Sequence, residues 1–217
     1  MIKAVLWDND GVLVDTETLF FETTRSAFAL EGISLTKEIW GARYLGAGIS
    51  SREIAISLGG VPDRIAKLID ERNKQYRRIL EQPLFLRPQV QKTLSALFGQ
   101  VKMAIVTGSH RDQLKLMHGA NGFLGFFDAI VTGDDCLHTK PHPAPYLAAV
   151  KALQVAPSEC IAIEDTPKGL ASANAAGIPC IVVPNELTHL LQFPGALSIE
   201  PDVSGVLKHL GENYIYS

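Results

Sequence analysis

The sequence predicts an α/β protein: a doubly wound parallel sheet interrupted once by an all-helical insertion. Three observations lead to this. Short apolar runs recur along a chain of 217 residues, amphipathic stretches separate the later ones, and the interval from Trp7 to Met103 far exceeds the dozen or so residues that one crossover needs. With 47% apolar residues the chain has the material for a well-buried core plus a smaller inserted unit.

The first run, "AVLW" from Ala4, is continuous rather than alternating, as suits a strand buried on both faces. Residues 16–31, 35–45, 51–58 and 62–81 then carry the apolar spacing of helices. These four helices leave the core near Asp15 and return near Leu84 to Pro88, which gives a core of residues 1–15 and 85–217 and a helical cap of residues 16–84. Two such hinges let a cap open and close over whatever the sheet binds. Beyond them, helix and strand alternate: a helix over 88–98, "MAIVT" from Met103, a helix over 109–118 and "AIVT" from Ala129. A helix over 143–153, "IAI" from Ile161, a helix over 167–176 and "CIVV" from Cys180 complete a Rossmann-like core. Thr166 followed by Pro167 marks the last helix start as an N-cap with proline at the first helical position.

A formal charge of −3, with both signs interspersed, leaves no basic stripe for nucleic acid and no polybasic segment for anionic lipid. Cysteines 136, 160 and 180 are odd in number and lack CxxC spacing, and the N-terminal apolar run stops at Asp8, too short for a signal segment. No stretch approaches the roughly 18 apolar residues of a membrane span. The expectation is a reduced, cytoplasmic, monomeric protein whose partner is a small molecule.

In an open parallel sheet, ligands bind outside the carboxyl ends of the strands. The polar residues collect there: Asp8 and Asp10 after the first strand, Thr107, Gly108 and Ser109 after the second, Lys140 after the third, Glu164 and Asp165 after the fourth. Crowded carboxylates disfavour joint ionisation, and a divalent cation relieves them. Oxygen donors without a His or Cys cluster suit Mg²⁺ rather than zinc. Mg²⁺ and Lys140 would attract a dianionic group, whose oxygens Thr107 and the N–H groups of the glycine turn could hold. That describes a phosphoryl site, though not a Walker loop. Two acids in one Asp-x-Asp turn can divide the work: Asp8 attacks phosphorus to form an aspartyl phosphate, and Asp10 protonates the leaving group and later takes a proton from water.

"DNDGVLVDTE", "IVTGS", "KPHPAPY" and "IEDTPKGLASANAAG" resemble, in order and spacing, the four motifs of the haloacid dehalogenase-like superfamily, in its branch of small phosphatases and β-phosphoglucomutases with a helical cap. The resemblance implies Asp8 as nucleophile, Asp10 as acid/base with its backbone carbonyl on the metal, Glu164 and Asp165 as further Mg²⁺ ligands, and Thr107 and Lys140 on phosphate. An acid at position 10 favours phosphate esters over halides, because a departing halide needs no proton. Mutases of this kind carry a histidine five residues after the aspartate matching Asp15; this chain has Phe20, which favours a phosphatase of sugar phosphates and leaves a phosphosugar mutase as the alternative. Relatives have glycine where this chain has Gln89, so a local backbone adjustment is expected there. Arg43 and the stretch "GAGISSRE", with Ser51 and Arg52, resemble the family's specificity loop.

Arg72 falls on the apolar face of the helix from Pro62, where it either points into the site or snorkels from the stripe's edge. Ser109 reads equally as a substrate contact or a helix cap. Asp15 and Thr16 read as hinge and N-cap, and histidines 118, 138, 142, 189 and 209, which form no ligand spacing, as surface or helix-end residues.

Overall fold

The computed structural model describes residues 1–82, 86–118 and 123–211. The boundary expected between residues 84 and 85 lies outside them. β1 (Ala4–Trp7) is followed by the insertion: α1 (Thr16–Ala29), α2 (Lys37–Ile39), α3 (Ser51–Ser57) and α4 (Pro62–Leu80). Three of its helices match the sequence reading closely. The expected helix over 35–45 is instead one α turn that runs into a π-helical segment, Trp40–Gly46. The wider winding stacks Trp40 on Tyr44, with ring centroids 4.0 Å apart, and brings Gly41 against Leu187, where a Cβ would lie 2.5 Å from the carbonyl oxygen. Phe21, Phe28, Trp40, Leu45, Ile54 and Ile65 form the insertion's own core, which Leu187 joins from beyond the insertion. α3 starts with a capping box between Ser50 and Glu53, and α4 starts on Pro62.

The chain then alternates through α5 (Val90–Leu97), β2 (Lys102–Val106), α6 (Arg111–His118), β3 (Ala129–Val131), α7 (Ala144–Leu153), β4 (Cys160–Glu164), α8 (Pro167–Ala175), β5 (Cys180–Val182), β6 (Ser198–Ile199) and α9 (Val206–Leu210). Thr166 caps α8 as its sequence suggests, accepting from the Gly169 N–H at 3.2 Å. Gln89, before α5, has a left-handed backbone with φ 65°, the conformation that glycine adopts without steric cost.

All pairings in the sheet are parallel, in the order β3-β2-β1-β4-β5-β6. Ala4 and Leu6 of β1 pack on the face covered by Tyr146 and Ala149 of α7 and Leu170 of α8. Val5 and Trp7 pack on the other, with Leu94 of α5, Leu114 of α6 and Val206 of α9. Both faces are covered, which is why these strands are continuous apolar runs. The chain winds outward from β1 to β3, then returns to β4 beside β1 and winds the other way, so the carboxyl ends of β1 and β4 flank the switch point where a crevice opens. No helix among the described residues is long and apolar enough to cross a membrane.

Candidate active site

The turn after β1 is fixed from several sides. Asp8 still pairs with the sheet, its N–H donating to Ile163 at 3.0 Å, while the Asn9 carbonyl accepts from the N–H groups of Val12, Leu13 and Val14. Gly11 has φ +84°, and a Cβ there would lie 2.1 Å from Asp165 Oδ2, so both conformation and space require glycine. The Asn9 side chain is buried; it donates to Met117 Sδ at 3.2 Å and accepts from His118 Nε2 at 2.7 Å. Arg87 donates to the carbonyls of Gly11, Val183 and Pro184 and ties this turn to the one after β5.

Lys140 is buried at the switch point. Its Nζ lies 2.6 Å from Asp8 Oδ1 and 2.6 Å from Glu164 Oε1, and it also donates to the Val106 carbonyl at 2.8 Å. Burial alone would depress this ammonium, but the charges of Asp8 and Glu164 outweigh it and hold the lysine above its usual range. Asp8 is pushed well above the ordinary carboxylate range by burial, against the pull of Lys140 and with the help of Glu164 and Asp10. Glu164 also accepts from Tyr146 Oη at 2.6 Å, and a Cβ on Gly169 would lie 1.9 Å from its Oε2, so α8 approaches this carboxylate through a glycine.

Asp165 is equally buried. Asn185 donates to its Oδ2 at 2.7 Å, Oδ1 has no partner among the described residues, and burial followed by the charges of Asp8, Glu17 and Glu164 raises its pKa well above normal. Ligand oxygens of Asp8, Glu164 and Asp165 lie within 4.8 Å of one another. Three clustered carboxylates, one with an orphaned buried oxygen, form a hard all-oxygen donor set that fits a divalent cation such as Mg²⁺. Asp10 is arranged differently. Its Oδ1 accepts from Thr16 Oγ1 at 2.6 Å, and its Oδ2 from Thr107 Oγ1 and Ser109 Oγ, each at 2.8 Å.

These groups border a cavity of about 530 Å³ between the sheet's carboxyl edge and the inserted helices. Asp8, Asp10, Gly108, Ser109, Lys140, Glu164 and Asp165 all reach it; Thr107 is buried behind Asp10. Ser109 therefore serves Asp10 and the cavity edge.

The cap residues read from the sequence do not border the cavity. Arg43 donates to Ser57 Oγ at 2.7 Å, Ser51 is buried, and Arg52 is exposed. Arg72 follows neither reading: it is buried within the insertion, donating to Thr24 Oγ1 at 2.7 Å and lying over the Phe20 ring at 4.3 Å. A stripe shows only which side of a helix is buried, and here that side faces α1. The cavity wall on the insertion side is built from Glu17, Phe20, Tyr44, Asn73 and Tyr76, with Lys168 of α8 beside them. Glu17 and Lys168 had a faint signal, since each follows a motif acid closely in the chain; Tyr44 and Asn73 had none. Thr16 is not the N-cap that the sequence suggests: Asp15 holds that position, and Thr16, the first residue of α1, donates to Asp10 instead. His118 ends α6, as one of its two readings has it, but does not lie at the surface: it is buried, stacked on Phe123 with ring centroids 4.5 Å apart, and burial lowers its pKa to about 4.

The chain is similar to known proteins over most of its length. The model of the family described as "Haloacid dehalogenase-like hydrolase" matches residues 5–183. The chain is 34% identical over 198 residues to the Bacillus subtilis (strain 168) protein named "Putative phosphatase YhcW", covering 89% of this chain and 88% of that one. It is 29% identical to the "Phosphorylated carbohydrates phosphatase" of Thermotoga maritima, covering 82% of each. Among solved structures, a haloacid dehalogenase-like protein of Agrobacterium tumefaciens superposes with a TM-score of 0.84 at 22% identity, over 98% of this chain and 100% of that one, and shares the fold. With the match spanning β1 to the end of β5, this chain belongs to the haloacid dehalogenase-like hydrolase family.

Proposed function

We propose that the protein is a Mg²⁺-dependent phosphatase that hydrolyses small phosphate monoesters, sugar phosphates foremost, through an aspartyl phosphate on Asp8. One observation carries the reading: Lys140 Nζ stands 2.6 Å from both Asp8 and Glu164, while Asp10, two residues on, is held by three hydroxyls at the rim of the same cavity. Asp8 attacks phosphorus; the bond from phosphorus to the ester oxygen breaks, and the Asp10 carboxyl gives its proton to the departing alkoxide. Water then attacks the phosphorus of the aspartyl phosphate, Asp10 takes the water's proton, and phosphate leaves with Asp8 restored. Hydroxyl protons rotate, so the cradle of Thr16, Thr107 and Ser109 can serve both forms of Asp10.

Lys140, Gly108 and Ser109 border the space the phosphoryl group would fill, with Thr107 supporting Asp10 behind them. Asp8, Glu164 and Asp165, with the backbone carbonyl of Asp10, would hold Mg²⁺. When bound, the ion neutralises phosphoryl oxygens and balances the crowded carboxylates. The inserted helices act as a cap that closes over the ester's organic part. At the position where related mutases carry a histidine, Phe20 presents an apolar ring to the cavity, which favours hydrolysis over transfer between sugar hydroxyls.

A phosphate-release screen over sugar, polyol, nucleotide and short organic-acid phosphates, with Mg²⁺ or with chelator, tests the proposal. Metal-dependent release, fastest with sugar phosphates, is expected. Conversion of one sugar phosphate into its isomer without release would move the assignment to a mutase, and no turnover of any ester would end it.

A further inference from the structure

The reaction described leaves one half-buried acid of the cavity unused. Glu17, in the first turn of α1, borders the cavity, and its Oε2 is buried without a hydrogen-bond partner among the described residues. Lys168, in the first turn of α8, borders the same cavity, with Nζ 5.5 Å from the centre of the Tyr44 ring. The two charges interact: burial pushes the Glu17 carboxyl up to about 7, Lys168 pulls it down, and Asp10 and Asp15 raise it further. Even so, Glu17 Oε2 remains unmatched.

We propose that Glu17 and Lys168 form a reading pair for a hydroxyl on the substrate's organic part, which selects sugar and polyol monophosphates against substrates that carry a second anion at that place. This rests on the phosphatase reading above. A hydroxyl donates and accepts at once, so it can donate to Glu17 while accepting from Lys168. A fully ionised second phosphate or carboxylate can only accept, and it would bring negative charge beside Glu17 and Asp10. Nor does the insertion supply a cation for it. Among the described residues no arginine borders the cavity, because Arg43 is turned to Ser57 and Arg72 to Thr24.

The test compares kcat/KM of the full chain with Mg²⁺ on a hexose 6-phosphate, the corresponding hexose bisphosphate and p-nitrophenyl phosphate, in the wild type and in Glu17→Leu, Glu17→Gln and Lys168→Met. The wild type should prefer the hexose monophosphate to the bisphosphate by at least about tenfold. In Glu17→Leu the ratio of hexose phosphate to p-nitrophenyl phosphate should fall at least about tenfold, chiefly through KM, with partial recovery in Glu17→Gln, which still hydrogen-bonds. An unchanged ratio in Glu17→Leu, or a wild type that favours the bisphosphate, overturns the pair. If Glu17→Leu does not fold, the same ratio is read in Lys168→Met, where a fall supports the pair and constancy overturns it. A wild type inactive on all three esters would instead remove the phosphatase reading beneath it.

Discussion

Asp8 stands against Lys140 at the cavity wall, where neither side chain is more than about a tenth exposed. Asp8→Asn should lower kcat at least about a thousandfold, read by phosphate release, while the circular dichroism spectrum stays that of the wild type. Asp10→Asn should cost about 10²- to 10⁴-fold, the range of a lost general acid/base. Lys140→Met leaves Asp8 and Glu164 buried and facing each other, so without metal it should destabilise by about 3–5 kcal/mol in urea unfolding. His118 sets a pH dependence of definite sign. Its folded pKa, about 4, lies below the unfolded value of 6.5, so between those values the unfolded chain binds more protons and stability falls as pH falls. His118→Gln should flatten that part of a curve of unfolding free energy against pH, and an unaltered slope would show that His118 is not its source.

The starts of the helices show where local sequence and tertiary demand agree. α8 and α3 begin where Thr166 and Ser50 can cap them, and these starts follow from the chain alone. α5 begins against local preference, because Gln89 holds a left-handed backbone that glycine adopts without steric cost. Gln89→Gly should therefore stabilise the fold by about 0.5–1 kcal/mol, a rise in the urea midpoint that a loss of stability would contradict. Within α5, Leu94 is fully buried against β1 and β2, and Leu94→Ala should cost about 2–5 kcal/mol by the same measurement. β6 escapes a sequence reading because two residues make no pattern. Ser198 and Ile199 become a strand by pairing with Ile181 and Val182 at the sheet's edge.

Over the whole molecule, three buried carboxylates share one end of the sheet, and a cation that binds there must stabilise the fold by mass action. Millimolar Mg²⁺ should raise the melting temperature, chelator should reverse the rise, and Asp165→Asn should abolish most of it; indifference to Mg²⁺ would count against the metal site. The sequence by itself determined the five longer strands and which acids, hydroxyls and lysine stand at their ends, because apolar runs buried on both faces stand out from their surroundings and a parallel sheet gathers every carboxyl end on one edge. It also determined the helical insertion, through the length of the first crossover and the helical spacing within it. Only the tertiary structure decided that β4 lies beside β1, which brings Glu164 and Asp165 to Asp8, and that Arg72 turns inward while Glu17 and Lys168 face the cavity. Periodicity specifies that a helix has a buried side, but which neighbour covers that side depends on how whole elements pack, and contacts between residues as distant as Asn9 and His118 leave no mark on the local sequence.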